Sequence, residues 1–98
     1  MAALYRFHKT KISIPTASTV SFLVPSGAKE FLARLDDSTV DWSFGDVETE
    51  VTAGDGFPFL AGEAFGIDGP MLMTTLYFRH SGGTTIDMHL AYLHPIVR

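Results

Sequence analysis

Apolar and polar residues alternate through most of this chain, and the stretches of alternation are short and bounded by turn residues. Thr19 to Val24 sets Val20, Phe22 and Val24 on one face and Thr19 and Ser21 on the other, then stops at Pro25-Ser26-Gly27. Leu4 to His8 and Ile12 to Ile14 read as two short strands on either side of Lys9-Thr10-Lys11, and Pro15 closes the second because it has no N–H for a ladder. Residues 1–15 are therefore expected to form an amino-terminal arm or an edge. Ala28 to Leu35 fits two periods. Phe31, Leu32 and Leu35 would share a helical face, whereas Phe31, Ala33 and Leu35 alternate. The polar turn Asp36-Asp37-Ser38, leading straight into the alternating Val40, Trp42 and Phe44, favours a strand over a one-turn helix.

After Gly45-Asp46, the segment Val47 to Val51 is predicted to be a strand, with Val47, Thr49 and Val51 inward and Asp46, Glu48 and Glu50 on an acidic outer face. From Ala53 to Pro70 the run AGDGFPFLAGEAFGIDGP is too irregular for one long element and too apolar for an idle solvent loop, so it should pack on something. Met71 to His80 and Thr84 to Leu93 then alternate at length. Leu72, Thr74, Leu76 and Phe78 share one face of the first, and Ile86, Met88, Leu90 and Tyr92 share one face of the second. Joined by Ser81-Gly82-Gly83, the two predict a core hairpin. The whole reads as an all-β, antiparallel β-sandwich of about eight short strands, jelly-roll-like in topology.

With 98 residues there is room for one domain, spanning 1–98, and no second. The chain has no cysteine, so disulfides and thiolate metal sites are excluded together. Charged residues make up 18% of the chain against 46% hydrophobic, below the roughly 25% charge usual in soluble domains, which points to apolar surface beyond what one small core needs. Seven Lys and Arg scattered along a chain of net charge -4 argue against binding nucleic acid by phosphate neutralisation. The start, MAALYRFHKTKIS, has no apolar stretch of signal-peptide length, and no run is long enough to span a bilayer as a helix. Synthesis in the cytoplasm without a membrane partner is the expectation.

Candidate chemistry is sparse. Asp87-Met88-His89 puts a carboxylate and an imidazole on one strand face, but among the four histidines (His8, His80, His89 and His94) no spacing marks a third ligand, so a polar outer face is preferred to a metal site. Ser26-Gly27 and Ser81-Gly82 read as turns rather than nucleophiles, because no G-x-S-x-G is present. Glu48 and Glu50 follow one another on one face, not across a cleft as a glycosidase pair must. Asp55-Gly56 and Asp68-Gly69 lack the ligand ladder of a calcium loop. Trp42, Tyr77, Tyr92 and the loop phenylalanines could together form a sugar-stacking platform. Trp42, however, falls on the apolar face with Val40 and Phe44, and Phe57, Phe59 and Phe65 suit a protein interface better. No cofactor and no catalytic residue is expected.

The succession TVSFLV, ARLDDSTVDWSFGD, AGEAFGIDGP and LYFRHSGGTTIDMHLAYL resembles the small β-sandwich virion proteins of tailed bacteriophages, of the head decoration or cement type. The likeness spans about Ile12 to Leu93 and is carried most by G-x-x-F at Gly62 to Phe65, Gly69-Pro70, L-Y-x-R at Leu76 to Arg79 and the alternating strand that follows. It implies a non-enzymatic structural protein on the capsid surface that self-associates, as a homotrimer, and binds the major capsid protein lattice. Related tail, baseplate or adaptor modules share this layout, and a carbohydrate-binding sandwich is the alternative from another class. On this reading Phe57, Phe59 and Phe65 are the apolar anchors, Tyr5, Arg6 and Lys9 the arm contacts, and Asp46, Glu48 and Glu50 the polar rim.

Overall fold

Strand pairing makes the chain one long antiparallel ribbon, rolled up. The structure, a computed structural model, describes residues 5–70 and 74–96. Its strands are β1 (Tyr5–Ile14), β2 (Val20–Val24), β3 (Lys29–Leu35), β4 (Trp42–Gly45), β5 (Phe57–Phe59), β6 (Ala64–Pro70), β7 (Thr74–His80) and β8 (Ile86–Pro95), with one short helix, α1 (Glu48–Thr52), between β4 and β5. The first half of the chain pairs with the second in reverse order, β1 with β8, β2 with β7, β3 with β6 and β4 with β5. Rolling the ribbon then joins β8 to β3 and β7 to β4. The result is two four-stranded sheets, β1-β8-β3-β6 and β2-β7-β4-β5, which is jelly-roll order.

The core lies between the sheets and follows from the alternation. From the first sheet come Ile14, Phe31, Ala33, Leu35, Phe65, Ile86, Met88, Leu90 and Tyr92, and from the second Val24, Trp42, Phe59, Leu76 and Phe78. The segment expected over Ala28 to Leu35 is a strand from Lys29, as its inward Phe31, Ala33 and Leu35 require. The edges of the second sheet, β2 and β5, are short, five and three residues. Pro58 sits mid-strand in β5, which is tolerated because β5 is an edge. On β3, Glu30 takes a left-handed backbone (φ 53°) where the register slips against both neighbours, a β-bulge next to Lys29.

Several sequence expectations need correction. The predicted amino-terminal pair is one continuous edge strand, β1, because Lys9-Thr10-Lys11 pairs with His89 to Ala91 without interruption. Val47 to Val51 is not a strand. The chain turns after Gly45 into α1, and Val51 is the residue it buries, while Val47 and Thr49 remain exposed. The cause lies in two glycines: a Cβ on Gly45 would stand 3.0 Å from Val51 Cγ2, and one on Gly56 would stand 2.9 Å from the Phe44 carbonyl oxygen and 3.2 Å from Val51 Cγ2. Their bare backbones make the pit that Val51 fills. The predicted β7–β8 hairpin does not form either. Each strand has its expected apolar face, but β7 pairs with β2 and β4 while β8 pairs with β1 and β3, so the two face each other across the core. The expected positions Leu4, Met71 and Leu72 lie outside the described residues.

The crossing from β7 to β8 is held by a buried imidazole. His80 Nε2 lies 2.7 Å from the Ile14 carbonyl oxygen, and its Nδ1 accepts the Gly82 N–H at 2.9 Å. Since Nδ1 accepts, the proton sits on Nε2 and is donated to Ile14, so one neutral ring ties β7 of one sheet to the end of β1 in the other. Gly82 is tightly placed beneath it: a Cβ there would meet Ile86 Cδ1 at 2.9 Å and His80 Nδ1 at 3.2 Å.

Candidate assembly surfaces

The three expected anchor phenylalanines separate. Phe57 is 64% exposed, whereas Phe59 and Phe65 are 9% and 7% exposed. Phe59 stacks on Trp42 with ring centroids 4.4 Å apart, and Phe65 stacks on Phe44 at 4.0 Å. Both are core residues and not interface anchors, because β5 and β6 turn them between the sheets. Phe57 has the inward register, opposite Phe44, but sits at the sheet edge, where it packs one side against Phe44 and Phe59 and leaves the other in solvent.

Around Phe57 the chain gathers its free carboxylates. Asp46, Glu50, Asp55 and Phe57 line one hollow of about 370 Å³, and the exposed Val47 and Glu48 cap and begin the adjoining α1. Of the expected rim residues, Asp46 precedes α1 while Glu48 and Glu50 lie on it, a helix where a strand was expected. None of Asp46, Glu48, Glu50 and Asp55 has a side-chain hydrogen bond or ion pair among the described residues. The acids of the opposite end are engaged locally. Asp37 accepts from the Thr39 hydroxyl and N–H at 2.6 and 2.8 Å, Asp41 from the Ala61 N–H at 2.7 Å, and Glu63 from the Leu60 N–H at 3.1 Å.

Of the predicted arm contacts, Tyr5 and Lys9 face outward from the first sheet, and the Lys29 ammonium lies 4.2 Å from the Tyr5 ring centroid. Arg6 has the opposite parity and stands exposed across from His94. Sequence reasoning missed the rest of this outer face. Register sets Lys9, Ala91, Leu32 and Gly66 in one row and Lys11, His89, Arg34 and Ala64 in the next. Leu32 and, one row away, Phe7 are 55% and 59% exposed. Thus Lys9, Lys11, Lys29 and Arg34, four of the seven Lys and Arg, share one surface. The signal available was Leu32 itself, an apolar residue at an outward position between Phe31 and Ala33.

At the margin of that face Ser13 Oγ donates to Asp87 Oδ1 at 2.7 Å, and Lys11 Nζ lies 3.6 Å from Asp87 Oδ2. The Ser13 hydrogen bond, helped by the Lys11 charge, holds the Asp87 carboxyl below the usual carboxylate range, as the Thr39 hydroxyl and N–H do for Asp37. A carboxyl whose value is lowered by folding stabilises the fold above the unfolded value, near pH 4, and that contribution fades as pH falls through the lowered folded value. The advantage of the wild-type chain over Ser13→Ala/Thr39→Ala in urea midpoint should accordingly be full at pH 6 and shrink steadily below about pH 4.

The remaining candidate chemistry is dispersed by the fold. His80 is buried between the sheets and His89 is on an outer face, 3.4 Å from Asp36 Oδ2, so the two do not converge. Among the described residues no three His, Asp or Glu side chains stand close enough to hold a metal. Trp42 and Tyr92 are in the core, and Tyr77 lies on a different surface from Phe57, so these rings form no common platform. His8 stacks on Tyr92 at 5.3 Å and meets His94 edge-on at 5.9 Å, closing one mouth of the sandwich. Comparison with protein-family models, with curated proteins and with solved structures finds no match for this chain.

Proposed function

We propose that this chain is a non-enzymatic structural subunit, a decoration or cement protein that self-associates and seats on the major capsid protein lattice of a tailed phage. The observation that supports this most is the pairing of exposed apolar side chains with unpartnered charge at two separate places: Phe57 and Val47 beside free carboxylates, and Leu32 and Phe7 beside free cations. Large apolar groups ringed by polar ones are how protein interfaces are built. Jelly rolls host such assembly as well as sugar binding and cupin chemistry, so the surfaces and not the fold carry the reading.

The mechanism is area and mass action. A lattice that binds only the folded chain pulls its folding equilibrium forward, and a chain that touches two neighbouring capsomers resists their separation. Such a role needs no cofactor. The subunit is made in the host cytoplasm and acts on the capsid surface.

The test is to add the purified, gold-labelled chain to particles lacking it and to examine them by electron microscopy. Label on the head surface at a fixed number per capsomer is expected. Label confined to the tail or baseplate would move the subunit to another part of the virion, and no retention on particles would overturn the reading.

A further inference from the structure

The two surfaces complement each other in one respect the fold makes plain. On the outer face of the β1-β8-β3-β6 sheet, a groove of about 290 Å³ runs between Lys9, Leu32, Arg34 and His89 over a floor that includes Ala64 and Ala91. Small residues keep the floor low, and Leu32 lies across Gly66, where a Cβ would stand 3.0 Å from Leu32 Cδ2. Lys9 and Arg34 have no carboxylate within ion-pair distance among the described residues, and Lys11 shares Asp87 at only 3.6 Å. The acidic members of this face are Asp87 at one margin, Asp68 on the edge strand β6, and Asp36 just beyond the end of β3, where its Oδ2 lies 3.4 Å from His89 Nε2. The α1 end, which belongs to the other sheet, presents the exposed Phe57 ring in a hollow lined by the free carboxylates Asp46, Glu50 and Asp55, with Glu48 exposed in the first turn of α1.

We propose that this groove receives the α1 end of a second copy of the chain, with Phe57 of one copy seated over Leu32 of the next and Asp46, Glu48, Glu50 and Asp55 meeting Lys9, Lys11 and Arg34. The occupant follows from complementarity of charge and kind: unpaired cations around an apolar groove on one side, unpaired anions around an apolar ring on the other. Because the two patches are different surfaces, the contact is head-to-tail, and it builds a closed ring where the rotation between copies closes. It rests on the self-association within the function proposed above, and it adds which surfaces meet.

Charge reversal tests it. Lys9→Glu/Arg34→Glu changes only the groove, Glu48→Lys/Glu50→Lys changes only the α1 end, and all four residues are exposed, so each variant should keep the wild-type circular dichroism and melting behaviour. In sedimentation velocity each pair should weaken self-association about tenfold or more, and the chain carrying all four reversals should return to within about threefold of wild type. A fourfold variant no better than either pair, or pairs that associate as tightly as wild type, would overturn the contact. If wild type associates while ignoring these charges, the contact is wrong and the structural role stands. If wild type does not associate at all, both self-association and this contact fall.

Discussion

Phe65→Ala should destabilise the chain by about 3–5 kcal/mol, and the double change Phe59→Ala/Phe65→Ala should leave no folded population, whereas Phe57→Ser should cost less than about 1 kcal/mol. The three rings lie within nine residues of one another, yet only Phe59 and Phe65 are enclosed. Phe65 meets Phe31, Trp42, Phe44 and Phe59, and its removal leaves a cavity at the point where the two sheets touch through aromatic rings. A domain of this size has roughly 5–15 kcal/mol of total stability, so a loss of that order decides whether it folds. Urea titration followed by far-UV circular dichroism measures it, and the single Trp42, stacked on Phe59, provides a second optical signal from the same core. Equal midpoints for Phe65→Ala and Phe57→Ser would mean that β6 does not deliver its ring between the sheets.

His80→Leu should be the next most damaging single change. Leucine fills much of the imidazole's space but satisfies neither the Ile14 carbonyl nor the Gly82 N–H, and each orphaned group costs about 1–3 kcal/mol, most where burial is deepest. Ile14 is fully buried, so the larger share falls on its carbonyl. A loss of about 2 kcal/mol lowers the melting temperature of a domain this size by roughly 8 °C or more. Hydrogen exchange should locate the effect, with amides at the carboxyl end of β1 losing protection because their tie to the other sheet is gone. An unchanged melting temperature would show that water replaces the ring without penalty.

What the sequence made legible and what it concealed have a common cause. Alternation reports which face of a strand is apolar, so the inward sets on β2, β3, β4, β7 and β8 could be read directly from Val20 to Tyr92. It does not report which strand lies alongside. The inner faces of β7 and β8 look the same whether the two strands pair edge to edge or pack face to face, and the structure adopts the second arrangement. In AFGID the alternation of Phe65 and Ile67 was present but masked by Gly66, and in FPF the proline hid an edge strand. Val47 to Val51 alternates like a strand, yet Gly45 and Gly56 open a pit that only a helical turn lets Val51 reach. For the same reason the number of strands matched while the membership differed: two expected strands fused into β1, one became α1, and β5 and β6 came from the run read as irregular. The basic groove was the least legible feature. Arg34 is far from Lys9 and Lys11 in sequence and becomes their neighbour only through the pairing of β1 and β3 with β8.

The central claim is that the exposed apolar and charged surfaces of this sandwich exist to be covered by other subunits. Sedimentation equilibrium of the purified wild-type chain over a wide range of concentration tests it most directly. A mass three times that of the 10.7 kDa chain, reached reversibly as concentration rises, is the predicted result. A single species of 10.7 kDa at every concentration would contradict it.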